Sequence, residues 1–149
     1  MTISGFCNRY GACCEGREWA LANCSTMQDV WNTARPDWVI WVATRPGVLS
    51  DRELRLYTHH CIRYMRRTLQ QHNVELSTIW QAVHAIQFAR REAVMFAREW
   101  AIRAIVSVLA ARVAWGNAAQ LRLGEWLRLE IEASEARYLR QYCHPNFGD

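Results

Sequence analysis

The chain has 149 residues, of which 51% are hydrophobic, 11% aromatic and 21% charged, and it carries a net charge of +4. This length predicts a single domain with its own core, and eight tryptophans argue against a disordered chain. No uncharged apolar run reaches the roughly 18 residues of a membrane span. The segment Met1–Arg9 lacks the basic start and apolar core of a signal peptide. We therefore expect a cytoplasmic protein that has no membrane partner.

The first elements are predicted to be short. Residues 1–11 contain two glycines and are expected to form an irregular lead-in, followed by a helix over about Ala12–Asn23 with Trp19 turned inward. Ser25 and Gln28 have the spacing of a capping box, which predicts a second short helix from this point.

A third short element follows Pro36, a residue that suits the first turn of a helix. The segment Trp38–Val42 is apolar on nearly every side, so a buried helix and a buried strand both fit its pattern. Helix is the favoured interpretation because no other segment resembles a strand. Pro46-Gly47 is expected to end this element.

The clearest local signal lies just after this break. Ser50 and Glu53 form a capping box, and Leu49 and Leu54 occupy the two positions of a hydrophobic staple. These residues predict a helix that runs to about Gln71. Its expected inward residues are Leu54, Tyr57, Cys61, either Tyr64 or Met65, and Leu69.

The stretch Ser77–Trp115 contains no Gly, Pro, Asn or Asp, and alanines recur along it in steps of three or four residues. This pattern predicts one long Ala-striped helix, with a break near Ser107 as an alternative. His72-Asn73 is the expected turn before it. A last helix is predicted over Ala118–Tyr142, with inward residues at Leu123, Leu127, Ile131 and Tyr138.

Together these elements predict an all-α, single-domain bundle of five or six helices around the long central helix. The whole chain, 1–149, is expected to be one domain. Within it, short Trp-rich helices of residues 1–47 would pack on the long helices of residues 50–142.

The cysteines and histidines do not form a recognisable reactive site. The six cysteines lie at positions 7, 13, 14, 24, 61 and 143, and their spacing lacks the CxxC pairs of zinc sites. The run His59-His60-Cys61 does not pair a nucleophile with a base, because neighbouring helical residues point about 100° apart. We expect small buried cysteines, no metal or other cofactor, and no enzymatic activity.

All 18 basic residues are arginine, and the surplus is central, with nine Arg against three acids in residues 61–122. Arg63, Arg66 and Arg67 share one helix face, which favours contact with phosphates or with an acidic protein. A solvated face partly neutralised by Glu92 and Glu99 is the alternative. Trp and Arg dominate interface energetics, so the candidate partner-binding residues are Arg63, Arg66, Arg67, Arg91, Arg98, Arg103, Trp38 and Trp41.

A set of short motifs is distributed along the chain: Ala12–Ala20 (ACCEGREWA), Trp31, Asp37-Trp38, Trp41, Arg45, Leu54-Arg55-Leu56, Cys61-Ile62-Arg63 and the closing His144-Pro145-Asn146. These motifs resemble those of a group of small helical proteins encoded by phages and gut-type bacteria. Most of these proteins are labelled hypothetical, and some Ala-richer ones are labelled immunity proteins. The resemblance spans nearly the whole chain, although the middle is richer in Arg, Phe and Ile than the usual Ala tracts.

The resemblance implies a mobile-element context and carries no catalytic residue with it. The expected function is a non-enzymatic inhibitor of a host defence complex, similar to anti-CRISPR proteins, acting in the cytoplasm of the host bacterium. A toxin-immunity protein is one alternative, and a nucleic-acid-binding regulator that uses the Arg patch is another. The expected partner is a host or co-encoded protein, which could itself belong to a nucleic-acid-binding effector complex. Direct nucleic-acid binding and a homodimer remain open.

Overall fold

A computed structural model of the chain describes residues 1–71 and 117–148, and this part of the chain forms six helices and no strand. The all-α prediction is therefore confirmed. The Ser77–Trp115 stretch, its break near Ser107 and the His72-Asn73 turn lie outside the described residues. The helices are α1 (Ile3–Tyr10), α2 (Cys14–Asn23), α3 (Met27–Thr33), α4 (Pro36–Ala43), α5 (Asp51–Gln71) and α6 (Asn117–Tyr142).

Helix α1 corrects the expectation of an irregular lead-in. The Thr2 side chain accepts a hydrogen bond from the amide of Gly5, which caps the first turn. Gly11 ends the helix with a φ of 66°, a left-handed conformation that favours glycine. The two glycines that suggested a loop therefore lie within α1 and at its end, and Ile3, Phe6 and Cys7 are buried at helical spacing.

The caps of α2 and α3 differ from their predicted positions. Helix α2 starts at Cys14 instead of Ala12, because the Cys13 sulfur accepts from the Gly16 amide as the N-cap. The capping box of α3 is formed by Thr26 and Asp29, one residue beyond the predicted Ser25–Gln28 pair. The Asp29 carboxylate accepts from both the Ser25 and the Thr26 amides, which a neutral glutamine oxygen does less strongly.

Helix α4 confirms the prediction that Pro36 begins a short buried helix. Val39, Ile40, Val42 and Ala43 are all buried. Helix α4 packs against α6, so the most apolar segment of the N-terminal region lies on the C-terminal helix.

Helix α5 has the predicted start and cap, and it extends to Gln71, the last residue of this described segment. The Ser50 hydroxyl accepts from the Glu53 amide at 3.2 Å, and Glu53 Oε2 accepts from the Ser50 amide at 2.9 Å. Both staple residues, Leu49 and Leu54, are buried. Of the two alternatives for the inner face, Met65 is fully buried and Tyr64 is half-buried; the side chain of Leu69 lies outside the description.

Helix α6 begins at Asn117 and ends at the predicted Tyr142. Leu127 and Ile131 are buried, Tyr138 is half-buried, and the side chain of Leu123 lies outside the description. Helix α6 packs against α5 as well as α4, and Glu135 of α6 accepts a hydrogen bond from the Tyr57 hydroxyl at 3.4 Å.

The C-terminal tail ties the helices together. The His144 amide donates to Glu53 Oε1 at 2.7 Å, and the Asn146 amide donates to the Val48 carbonyl at 2.8 Å. Arg140 of α6 donates to the carbonyls of Trp31 and Ala34 at the end of α3. No helix in the described part of the chain has the length and apolar character needed to cross a bilayer.

Candidate functional site

The outward side of α5 carries five exposed arginines, which we call the arginine face: Arg52, Arg55, Arg63, Arg66 and Arg67. At 3.6 residues per turn, these five positions lie within about 120° around the helix axis. With a rise of about 1.5 Å per residue, they extend over about 22 Å. Two groups, Arg52 with Arg55 and Arg63 with Arg66 and Arg67, lie about 12 Å apart along the axis on this same side of the helix.

The buried side of α5 explains why the arginine face points outward. Tyr57, Cys61 and Met65 are each 1% exposed or less, and they lie about 180° from the centre of the arginine face. Because this inner side packs on the rest of the bundle, rotating α5 would expose a large apolar area. The orientation of the arginines is therefore fixed by core packing.

A row of aromatic side chains lies beside the arginine face, where α5 meets α6. The His60 ring stacks on Tyr138 with ring centroids 4.2 Å apart and an interplanar angle of 19°. Tyr138 contacts Tyr142 at 5.0 Å, and Tyr142 is exposed. Burial lowers the pKa of His60, the hydrogen bond with Ser134 raises it and the charge of Arg63 lowers it; the net shift is downward and favours the uncharged ring.

A second feature is an apolar cavity of about 450 Å³ among α1, α2, α3 and α4, which we call the tryptophan pocket. Its tryptophan walls are held by ring contacts. Trp19 and Trp38 pack with centroids 5.3 Å apart, and Trp41 meets Phe6 edge to face at 6.1 Å. The principal lining side chains are Phe6, Trp19, Met27, Val30, Trp38 and Trp41.

The rim of the tryptophan pocket is charged. The Arg35 guanidinium lies over the Trp38 ring, 4.1 Å from its centroid, and forms ion pairs with Glu15 at 2.8 Å and Asp37 at 2.9 Å. These contacts hold Trp38 between a guanidinium and a second indole ring. With two carboxylates and one guanidinium, this cluster has one negative charge in excess.

The predicted partner-binding residues divide into three groups. Arg63, Arg66 and Arg67 come together on the arginine face, while Arg91, Arg98 and Arg103 lie outside the described residues. Trp38 and Trp41 are half-buried and line the tryptophan pocket, on a different surface from the arginines.

The sequence-based prediction missed Arg52 and Arg55 as members of the arginine face. Helical spacing from Arg52 through Arg55 and His59 to Arg63 and Arg66 could have identified them. The ion pair between Arg35 and Glu15 was also missed. These two residues are 20 positions apart along the chain, and no local pattern signals such a contact.

Only some of the cysteines are buried, whereas burial was expected for all of them. Cys7, Cys61 and Cys143 are buried, and burial raises the pKa of Cys143 to about 11. Cys13 and Cys14 are exposed, because they lie at the N-cap and the first position of α2. In the described part of the chain, no three His, Cys, Asp or Glu side chains converge as metal ligands.

Comparisons of the chain with protein-family models, with curated proteins and with solved structures give no match. Function is therefore inferred from the arginine face, the tryptophan pocket and the motif resemblance.

Proposed function

We propose that this protein is a non-enzymatic binding protein from a phage or mobile element that inhibits a host defence complex. It acts in the cytoplasm of the host bacterium, in the manner of anti-CRISPR proteins. The arginine face supports this proposal most directly, because it is an exposed surface that the described core does not use. The motif resemblance supports the mobile-element context.

The chemistry of the arginine face favours an acidic protein surface as the target. Each guanidinium is a planar fork that can make two parallel hydrogen bonds to one carboxylate. Five such groups along about 22 Å match a row of Asp and Glu on a partner helix or groove. Leu56 is 47% exposed between these arginines and supplies an apolar contact.

An infection assay tests this proposal. The protein is expressed in a bacterial host with an active CRISPR system that targets a phage, and in the same host with the effector genes deleted. We expect the protein to restore plaque formation in the first host and to have no effect in the second. Unchanged plaque counts across hosts carrying the main CRISPR types would refute an anti-CRISPR activity, and unchanged counts in hosts carrying other defence complexes would refute the counter-defence function as a whole.

A nucleic-acid-binding regulator is the second candidate, and the aromatic row beside the arginine face favours it. Bases stack on exposed aromatic rings while arginines contact phosphates, and Tyr142 is 58% exposed. Electrophoretic mobility shifts with single- and double-stranded DNA and RNA separate the two candidates. Tight binding that weakens steeply with salt, and that is lost in Arg66→Ala/Arg67→Ala, supports the regulator. Absence of binding at low salt excludes it.

A toxin-immunity function is the third candidate and rests on the labels of some similar proteins. Immunity proteins bind one toxin that is encoded beside them. Co-expression with each neighbouring gene product tests this candidate, because specific protection against one toxic neighbour would favour it over the counter-defence function.

A further inference from the structure

We propose that the tryptophan pocket binds an uncharged aromatic molecule of two or three rings. This inference concerns a different surface from the arginine face and does not depend on the proposed function. Ligand pockets in proteins typically measure about 300–1,000 Å³ and have mostly apolar walls with a few polar groups at defined positions. The tryptophan pocket has this size, with apolar walls and a charged rim.

The volume sets the size of the ligand. An apolar cavity of about 150 Å³ accommodates one benzene molecule. The tryptophan pocket measures about 450 Å³, so it accommodates roughly two or three fused or linked rings. An apolar pocket of this volume leaves its lining atoms without contacts that a ligand would supply.

The walls determine the shape of the ligand. Trp19, Trp38 and Trp41 present rigid rings, and aromatic rings prefer offset or edge-to-face contact with one another. Because each of these rings is already held by a neighbouring ring or guanidinium, the pocket is preformed. Binding therefore requires little reordering of side chains.

The rim determines the charge of the ligand. Arg35 forms ion pairs with both Glu15 and Asp37, so its positive charge is already compensated at the rim. The excess negative charge of this cluster repels an anion. An uncharged ligand avoids this repulsion.

Two fluorescent probes with the same ring system test the proposal. N-Phenyl-1-naphthylamine is uncharged at pH 7, and 8-anilinonaphthalene-1-sulfonate adds one sulfonate. We expect the uncharged probe to bind the full-length protein at one site with a Kd of about 10–100 μM. Binding should quench tryptophan emission through energy transfer to the probe. The sulfonate should bind about tenfold more weakly because of the rim.

Pocket-filling variants locate the binding site. Ala12 lines the pocket at the turn before α2, and Ala22 is exposed on α2 outside it. We expect Ala12→Phe to weaken binding of the uncharged probe at least tenfold, and the matched Ala22→Phe to leave it unchanged. Ala20→Leu, which fills the pocket from its buried wall, provides a second variant. Circular dichroism and Tm identify any variant that fails to fold.

Three outcomes would overturn the proposal. The first is that the wild-type protein shows no saturable binding of the uncharged probe. The second is that folded pocket-filling variants bind it as tightly as the wild type, which would place binding elsewhere. The third is tighter binding of the sulfonate, which would show that the pocket selects anions.

Discussion

Arg140 connects the C-terminal helix to the end of α3, and its replacement by methionine should destabilise the fold. Arg140 Nε donates to the Trp31 carbonyl at 2.9 Å, and a second guanidinium nitrogen donates to the Ala34 carbonyl. Both acceptors lie where a helix leaves carbonyls without internal partners and where its dipole favours a cation. Partial burial also lowers the pKa of Arg140, which indicates that the guanidinium has lost part of its hydration.

The size of the effect follows from these contacts. A hydrogen bond from a charged group contributes about 1.5–3 kcal/mol, and leaving a buried acceptor unpaired costs about 1–3 kcal/mol. Because the Arg140 side chain is partly exposed, water can hydrogen-bond to the two carbonyls in the variant and offset part of this loss. We therefore expect Arg140→Met to lower the free energy of unfolding by about 2 kcal/mol. For a chain of this size, the corresponding fall in Tm is about 4–8 °C.

Thermal unfolding followed by circular dichroism at 222 nm is the assay, with urea unfolding as a second measurement. The matched control is Arg137→Met on the same helix, because Arg137 is exposed and its replacement should change stability by less than about 0.5 kcal/mol. Arg140→Lys should recover only part of the loss, since one ammonium cannot reproduce the guanidinium fork. Equal Tm values for Arg140→Met and Arg137→Met would refute the role of Arg140 in joining α6 to α3.

Three further predictions concern local features of the fold. Although burial raises the pKa of Glu53, hydrogen bonds from Ser50 and the His144 amide lower it more, so the folded pKa lies below 4.5. The charged Glu53 therefore stabilises the fold above pH 4.5, and this stabilisation is lost as the pH falls through the folded pKa. We expect Glu53→Gln to lower the free energy of unfolding by roughly 1 kcal/mol at pH 7. Urea unfolding should show that this difference shrinks below about pH 4. Ellman's reagent at pH 8 should react fast with the exposed Cys13 and Cys14 of the native protein. It should not react with Cys143, because this cysteine is buried and its pKa of about 11 keeps it a thiol. Fast labelling of Cys143 would contradict its burial. Gly11→Ala should lower stability by about 1 kcal/mol because of the φ of 66°, and a calorimetric Tm equal to that of the wild type would exclude this backbone conformation.

Local sequence patterns predicted the helices whose ends carry strong capping signals. Ser50, Glu53 and Pro36 act within one helical turn, so their effect is readable from neighbouring residues. Helix α1 was missed because a glycine is typical of a loop and also of a helix end. The burial of Phe6 and Cys7, which shows that this segment is a helix, is visible only in the structure. The Thr26–Asp29 box was misplaced by one residue because Ser25 and Gln28 offer the same spacing with weaker groups.

The candidate sites were less predictable than the helices. The arginines of α5 follow helical spacing, so part of the arginine face could be identified from the sequence. The tryptophan pocket depends on four short helices meeting at one place, and its rim joins Glu15 to Arg35 across 20 residues. Packing over such distances leaves no periodic signal in the sequence. Trp38 and Trp41 were named as candidate partner-binding residues, but their shared pocket could not be inferred from the sequence.

The central claim, that the arginine face binds the defence complex, is tested most directly by replacing its arginines in the infection assay. Arg63→Ala/Arg66→Ala/Arg67→Ala removes three exposed cations from this face. The matched control Arg9→Ala/Arg17→Ala/Arg122→Ala removes three exposed cations from other helices. With at least about 1 kcal/mol per interface arginine, the first variant should bind its target about 100-fold more weakly.

In the CRISPR-active host, we therefore expect the wild type and the control variant to restore plaque formation. At equal protein levels, Arg63→Ala/Arg66→Ala/Arg67→Ala should not restore it. Full restoration of plaque formation by Arg63→Ala/Arg66→Ala/Arg67→Ala would contradict the claim.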